Sequence, residues 1–291
     1  MIGRNLVLFR DNQGRVNSLL AYCPHRGADL SLGCVEDGKL MCPYHGWKFD
    51  QDGTCVEIPS QPHKPVPKFA HTKSFPVREE AGIIWVFPDP NAKEIQNFQL
   101  FPELKDSKYR LAPYQAQWNA HYTRVVESVL DVAHLSFVHK KTIGKNSKTE
   151  ISQLQYSHKE DRIIIYNDGA SLEFWYPQQW ILKPSVQSKN KFFNYVTFTP
   201  IDEEQTLILG YAGRNFVKFI PFLDRIFSNY SLKVLDEDQS VVESQHPRPI
   251  PEALRMEAHV LADGPQIAFR QLWFNFLSKE EGKVSLDGHI N

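Results

Sequence analysis

Two short stretches decide the fold of this chain: Cys23-Pro24-His25-Arg26-Gly27 and Cys42-Pro43-Tyr44-His45-Gly46-Trp47. Each stretch offers one thiolate and one imidazole, so two loops placed tip to tip would provide two sulfur and two nitrogen ligands. This set suits a [2Fe-2S] cluster in which two histidines replace two cysteines on one iron, because neutral imidazole raises the reduction potential. The sequence therefore predicts that the cysteines bind one iron and the histidines the other: Cys23 and Cys42, then His25 and His45.

A structural zinc site is the alternative for the same four side chains, since zinc also binds two cysteines and two histidines. Zinc motifs usually keep a cysteine pair on one element and a histidine pair on another, whereas each stretch here carries one of each. Proline, glycine and aromatic residues flank both pairs, and they build tight loops whose backbone N–H groups can point at a cluster sulfur. The pattern favours the iron-sulfur cluster.

Length and composition exclude several classes of protein. A chain of 291 residues is longer than most single domains, so two domains are expected. Its 33 basic and 34 acidic residues nearly balance, and we therefore expect no nucleic-acid partner and no membrane partner. No apolar run approaches the ~20 residues of a membrane-spanning helix. We recognise no secretory segment, and the chain is predicted to be cytoplasmic.

The first part of the chain has the pattern of a small antiparallel β-domain. Apolar stretches at residues 4–10 and 16–22 flank a polar turn, which is typical of a hairpin. A second hairpin is predicted at Gln51-Asp52-Gly53, where the Asp-Gly pair suits a positive φ.

A second domain is predicted to follow a loosely patterned stretch between residues 88 and 113, where prolines interrupt the strands. We place the boundary at its end, which gives domains of residues 1–113 and 114–291. From residue 120 to 133 the apolar positions follow a helical period, and aromatic-rich strands come next. Two further helices are predicted at residues 227–242 and 265–276. Strands enclosed by helices predict an α+β domain.

A second group of potential metal ligands lies between Asp131 and His139. At ~100° per residue, Asp131 and His134 share a face of a helix, whereas His134 and His139 lie about 140° apart. A straight helix could not aim both imidazoles at one ion, so the helix must end or widen by a π-bulge if both are ligands. Two histidines with ordinary hydrogen-bond partners at a helix end are the alternative.

These segments resemble a known family. The two Cys-Pro stretches look like the cluster motif of the Rieske non-haem iron oxygenases, and Asp131-x-x-His134-x-x-x-x-His139 looks like that family's mononuclear iron segment. The resemblance implies a terminal oxygenase α subunit with an N-terminal antiparallel β Rieske [2Fe-2S] domain, short at its N-terminus. It also implies a C-terminal helix-grip (START-like) α+β catalytic domain. There, His134, His139 and one carboxylate would hold Fe(II) and leave positions open for O₂.

The carboxylate ligand cannot be placed by spacing. The downstream acids that qualify by chemistry are Asp236, Glu237, Asp238, Glu243, Glu257 and Asp263. We select Asp263, because Asp263-Gly264-Pro265 and the residues after it resemble the entry to the family's last helix, where the acidic ligand lies. An ordinary acid at a helix N-terminus is the competing interpretation of Asp263.

Asp131 stands one turn before His134, where it can accept a hydrogen bond from the imidazole N–H that does not face iron. The resemblance implies a catalytic role for Asp131, which would link the iron site to a cluster histidine of the next subunit in a head-to-tail homotrimer. An exposed aspartate paired with a lysine or arginine is the alternative.

The resemblance implies an oxidoreductase that uses O₂ to hydroxylate or oxidatively demethylate a small organic substrate, as a monooxygenase. Cis-dihydroxylation of aromatic compounds, a dioxygenase reaction, is the family's other outcome. The sequence has no Gly-x-Gly-x-x-Gly and no flavin signature, so electrons from NAD(P)H would come from a separate reductase, with or without a ferredoxin. Alternatives of other classes are an iron-sulfur electron-transfer protein and a zinc-stabilised binding module.

Overall fold

The structure is a computed structural model that describes residues 1–92, 98–151, 153–167, 169–185, 187–250 and 256–287. The chain divides into two compact units, Met1–Leu100 and Phe101–Asn291. This division falls before the predicted boundary at residue 113, because a strand that begins at Arg110 belongs to the sheet of the second unit.

The first unit is built from short antiparallel strands. They are β1 (Leu6–Arg10), β2 (Val16–Leu20), β3 (Cys34–Glu36), β4 (Lys39–Met41), β5 (Lys48–Phe49), β6 (Cys55–Glu57), β7 (Ser74–Phe75), β8 (Val77–Glu80) and β9 (Ile83–Val86). One sheet has the order β1-β2-β7, a second has the order β3-β4-β5-β6, and β8 pairs with β9. Both predicted hairpins form. In the second, Gly53 adopts φ 83° and a Cβ there would lie 1.9 Å from the Thr72 carbonyl oxygen, so the turn requires glycine.

The core of the first unit holds the roots of the two Cys-Pro loops. Leu19, Leu30 and Phe49 are fully buried, and they belong to the same apolar cluster as Cys23 and Cys42. The β-strands therefore anchor both cysteines in packed surroundings.

The second unit contains one seven-stranded antiparallel sheet. Its strands are β10 (Arg110–Trp118), β11 (Gln155–Lys159), β12 (Arg162–Asn167), β13 (Ala170–Trp175), β14 (Gln179–Lys183), β15 (Phe192–Pro200) and β16 (Thr206–Arg214). The order is β10-β16-β15-β14-β13-β12-β11. β10 is an edge strand, which explains how Pro113 fits within it although proline cannot donate a ladder hydrogen bond. That proline is one reason why the sequence pattern looked like a loop there.

The α-helices that accompany this sheet include α1 (Tyr122–Leu130), α2 (Leu135–Val138), α3 (Phe222–Glu243) and α4 (Gly264–Asp287). Val125, Val126 and Leu130 of α1 are fully buried in the main core, which confirms the predicted apolar stripe. The predicted α+β architecture is confirmed. No helix in the described ranges combines the length and the apolarity needed to cross a membrane.

Candidate metal centres

The two Cys-Pro loops have the same backbone closure. The Cys23 N–H donates to the Ala28 carbonyl at 2.9 Å, and the Cys42 N–H donates to the Trp47 carbonyl at 2.8 Å. In each loop the glycine four residues later donates back to the cysteine carbonyl, and Gly27 and Gly46 adopt φ 71° and 70°. Positive φ is cheap only for glycine, so these residues are what lets each loop close around its cysteine.

The loops bring their histidines together. The rings of His25 and His45 have centroids 4.6 Å apart, and His25 stacks on Trp47 with centroids at 4.5 Å and planes within 6°. Cys23 and Cys42 are buried, whereas His25 is half-buried and His45 is exposed. The sulfur donors therefore face the core of the unit and the imidazoles lie at its surface.

The segment from Asp131 to His139 avoids the geometry of a straight helix. Helix α1 ends at Leu130, Asp131 is its extended C-cap, and the short helix α2 starts after His134 and ends before His139. The helix therefore ends, as one of the two predicted solutions requires, and no π-bulge forms between the histidines. The ring centroids of His134 and His139 lie 5.0 Å apart.

The acid that joins these histidines is Asp238 of α3. Its Oδ1 lies 3.4 Å from Nε2 of His134 and 3.1 Å from Nε2 of His139. Among the described residues, these three are the group whose donor atoms all lie within 4.8 Å of one another, close enough for one metal ion. His139 and Asp238 are buried, with 2% and 8% of their surface exposed.

Asp263 lies elsewhere, and the prediction that it completes this group needs correction. Its Oδ2 accepts a hydrogen bond from the Val260 N–H at 2.8 Å and lies 3.8 Å from Nδ1 of His259. Asp263 thus acts as a cap just before α4, which was the competing interpretation of its sequence.

The orientation of His139 is set by Glu237, the neighbour of Asp238 on α3. Nδ1 of His139 lies 2.9 Å from Oε2 of Glu237, which also accepts from the Thr142 hydroxyl. Burial lowers the pKa of His139, but the carboxylates of Asp238 and Glu237 outweigh burial and raise it above the ordinary value. Hydrogen bonding of Nδ1–H to Glu237 leaves Nε2 free to face the metal position.

Asp131 lies on the other side of His134. Its Oδ1 accepts from the Ala133 N–H at 2.6 Å, and its Oδ2 lies 3.7 Å from Nδ1 of His134, which is longer than a hydrogen bond. Burial raises the pKa of Asp131, yet His134 and the backbone N–H groups lower it to a net value below the ordinary one. Asp131 therefore stays ionised beside the ring nitrogen of His134 that does not face Asp238.

Two family models match the chain. Residues 1–76 match the Rieske [2Fe-2S] domain, and residues 118–169 and 166–276 match the vanillate O-demethylase oxygenase C-terminal domain. The chain is a member of the Rieske non-haem iron oxygenases. This membership confirms the resemblance carried by the two Cys-Pro motifs and the histidine segment.

Relatives of this Rieske oxygenase chain include proteins with different substrates in their names. Chlorophyllide a oxygenase of Chlamydomonas reinhardtii is 26% identical, over 98% of this chain and 46% of the relative. Methylxanthine N1-demethylase NdmA of Pseudomonas putida is 28% identical, over 88% of this chain and 76% of the relative. The 4beta-methylsterol monooxygenase of Methylococcus capsulatus is 35% identical, over 70% of this chain and 60% of the relative. The solved structure of NdmA superposes with a TM-score of 0.84 at 26% identity, covering 97% of this chain and 84% of that one. The chain spans about half the length of the curated relatives it matches first.

A Rieske oxygenase carries two metal cofactors, a [2Fe-2S] cluster and a mononuclear iron. The loop residues fit the cluster. Nδ1 of His25 is buried and has no hydrogen-bond partner in the described part of the chain, and a metal at this nitrogen would remove the cost of about 1–3 kcal/mol for such an atom. Burial together with the Cys42 thiol raises the pKa of Cys23 to about 11, so its thiolate requires a nearby cation.

The second group fits a mononuclear iron. Two imidazoles and one carboxylate are the donor set of the facial triad that leaves positions open on non-haem Fe(II). A zinc ion in the first unit fits less well, because within the described residues the four loop side chains do not gather at one-ion distance as the iron group does.

Asp238 was one of the sequence candidates but was not selected. A usable signal existed, because Ser231, Leu235, Asp238 and Val242 are the buried positions of α3 and follow the helical period. An acid inside such a stripe must have a partner, which distinguishes Asp238 from the exposed Asp236. The role of Glu237 had no signal of its own in the sequence.

We expect Glu237→Ala to weaken metal binding at the iron site about 10- to 100-fold, which is the usual effect of removing a carboxylate that orients a ligand histidine. Titration of apo-protein with Co²⁺, followed by visible absorption, measures the affinity directly. Asp236→Ala removes the exposed carboxylate next to it on α3 and is the matched control. An equal loss in both variants would show that net charge, and not the hydrogen bond to His139, is responsible.

Proposed function

We propose that this chain is the terminal oxygenase of a Rieske-type system. It would use O₂ and electrons from a separate NAD(P)H reductase, with or without a ferredoxin, to hydroxylate or oxidatively demethylate a small organic substrate. The observation that carries the proposal is the one-ion group of His134, His139 and Asp238 in a chain that also has the two Cys-Pro loops. An electron carrier needs the loops alone.

The proposed ligands divide between the two cofactors. The cluster ligands are Cys23, His25, Cys42 and His45, and the iron ligands are His134, His139 and Asp238. Cysteine on one iron and histidine on the other raises the reduction potential of the cluster relative to an all-cysteine one. The support for this assignment is the buried pair of thiols, the paired imidazoles at the loop tips and the unpartnered Nδ1 of His25.

The protein's own contribution at the iron site is orientation. Iron held by His134, His139 and Asp238 would supply open coordination positions for O₂. Glu237 holds the ring of His139, and the indole N–H of Trp180 donates to the Val129 carbonyl at 3.0 Å near the end of α1. This bond fixes the helix end from which Asp131 and His134 follow.

Monooxygenation is favoured over cis-dihydroxylation. The C-terminal match is to a vanillate O-demethylase domain, and two of the relatives are named as a demethylase and a monooxygenase. The substrate proposed here is accordingly a small organic molecule that loses a methyl group or gains a hydroxyl group.

We further propose a head-to-tail homotrimer in which Asp131 links His134 to a cluster histidine of the neighbouring subunit. In support, His45 is exposed at the tip of its loop, and the Asp131 side chain is 31% exposed beside His134. Light scattering would give the mass in solution, and a monomer that turns over substrate at dilution would rule this arrangement out.

The proposed compartment is the cytoplasm. All four cysteines are unpaired, which is usual in a reducing compartment. The name of the relative from Chlamydomonas reinhardtii places that protein in the chloroplast, so cell fractionation is the measurement that decides for this chain.

Metal analysis tests the function most directly. On anaerobically purified protein we expect about three irons and two acid-labile sulfides per chain, whereas a pure electron carrier would have two irons and a zinc module no sulfide. His134→Ala should then lose about one iron and all product formation while the visible spectrum of the cluster is unchanged. Retained turnover in this variant would refute the site assignment.

A further inference from the structure

The surface around the start of α3 exposes apolar side chains that the core does not use. Phe219, Phe222, Ile226 and Tyr230 are 84%, 69%, 54% and 42% exposed. The last three are four residues apart on α3, so they follow one another along one side of the helix. We call these four residues the aromatic ridge. Scattered apolar residues on a surface are normal, but a continuous set of this size marks an interaction site.

The inner side of the same segment fixes the direction of the ridge. Phe227 packs against Phe192 and Phe216, with ring centroids 5.4 Å and 6.0 Å away, and the Arg214 guanidinium lies 4.9 Å from its ring centroid. These contacts hold α3 against the sheet. The ridge residues are exposed while Phe227 packs inward, so the ridge faces away from the sheet.

Basic residues lie on the ridge helix and on loops that contact the segment leading into it. Lys218 donates to the Ser107 carbonyl at 3.2 Å, and Asn215 donates to the Lys189 carbonyl at 3.3 Å, so the loops of Ser107 and Lys189 contact the segment that leads into the ridge. We call five of the basic residues on these loops and on α3 the basic rim: Lys108, Lys189, Lys218, Arg225 and Lys233. All but Lys218 are exposed.

The acids near the ridge do not cancel this charge. Asp224 of α3 lies 2.6 Å from an Arg110 nitrogen and 2.7 Å from an Arg214 nitrogen. These two arginines neutralise the charge of its carboxylate. Asp106 on the Lys108 loop and Glu237, which interacts with Lys233, each offset one of the five basic charges of the rim, so three remain. The outer charge around the ridge is therefore positive.

We infer that the aromatic ridge and the basic rim form a docking surface for an anionic lipid membrane. Aromatic and aliphatic side chains that project between lysines and arginines are the composition of peripheral membrane-binding elements. Each basic residue near an anionic surface adds about 1 kcal/mol, or about fivefold in binding. A second copy of this chain is the weaker occupant, because a symmetric contact would place the basic rim against itself.

This inference goes beyond the proposed function and revises the sequence expectation that the chain has no membrane partner. The basic residues of the rim lie up to 125 residues apart in the sequence, and in the total composition acidic residues balance the basic ones. Only the fold brings them around the ridge.

The test is sedimentation of the holoenzyme with vesicles. We expect binding to phosphatidylglycerol vesicles and little binding to phosphatidylcholine vesicles, with a loss in high salt. Arg225→Gln should weaken binding about fivefold. The double variant F219S/F222S should weaken it roughly tenfold or more, because two apolar side chains no longer enter the lipid. V260S/L261S is the matched control, since Val260 and Leu261 are 66% and 98% exposed in another segment.

Three outcomes would overturn the inference. The holoenzyme could stay in the supernatant with phosphatidylglycerol vesicles, or F219S/F222S could bind these vesicles as well as V260S/L261S does. In the third outcome, F219S/F222S has a lower oligomeric mass than the parent protein when no vesicles are present. The last would assign the ridge to a second copy. Loss of reductase-driven turnover in F219S/F222S, without vesicle binding by the parent, would assign it to a protein partner. Iron content and the cluster spectrum are expected to stay unchanged in every variant, so failure here is separate from failure of the oxygenase proposal.

Discussion

Asp238→Ala should remove the mononuclear iron and lower turnover by roughly 10³-fold or more, the equivalent of the several kcal/mol that a catalytic metal supplies. Asp238 provides the carboxylate oxygen that lies within 3.4 Å of both imidazole nitrogens. Without it, two neutral imidazoles remain, which leaves the ion with fewer donors and no compensating negative charge. Iron per chain and product formed per minute are the two measurements, with the cluster spectrum as evidence of intact folding.

Asp263→Ala is the matched control, because Asp263 was the sequence-based choice for the same role. We expect it to keep iron and turnover and to lose about 1 kcal/mol of stability, since the hydrogen bond from the Val260 N–H is lost. If Asp263→Ala loses iron and Asp238→Ala keeps it, the structural assignment of the carboxylate ligand is wrong.

Glu127→Ala should lower the free energy of unfolding by about 3–5 kcal/mol, the usual cost of removing one partner from a buried ion-pair network, because two buried guanidinium groups would then share one carboxylate. The Glu127 carboxylate lies 3.1 Å from an Arg124 nitrogen and 2.5 Å from an Arg270 nitrogen, and all three side chains are less than 9% exposed. Glu257 bridges the same two arginines at 2.6 Å on each side. The ring of two arginines and two glutamates joins α1 to α4, so we expect its disruption to destabilise the whole second unit.

Urea unfolding monitored by circular dichroism measures this effect. Glu204→Ala is the control, because Glu204 pairs with Arg248 at 2.7 Å in the same unit but with 65% and 38% of the two side chains exposed. Exposed pairs contribute at most about 1 kcal/mol, since water and salt screen them. Similar losses in the two variants would contradict a special role for the buried ring.

The sequence by itself determined the family and the kinds of metal site. Each Cys-Pro loop carries its ligand types, its closing glycine and its turn within about six residues, so local chemistry suffices. The same holds for His134 and His139, where the helical period already required the helix to end or widen. Alternation in the first unit and the helical stripe of α1 likewise follow from short-range patterns.

Only the tertiary structure decided what joins distant segments. Asp238 reaches the histidines because α3 packs against the sheet with that residue on its buried face, whereas the sequence resemblance had favoured Asp263 among six downstream acids. The edge position of β10 allowed Pro113 inside a strand, where the sequence pattern had indicated a loop. The basic rim also exists only in three dimensions. Metal coordination by a remote acid, sheet pairing and surface charge depend on distances through space, which spacing along the chain does not encode.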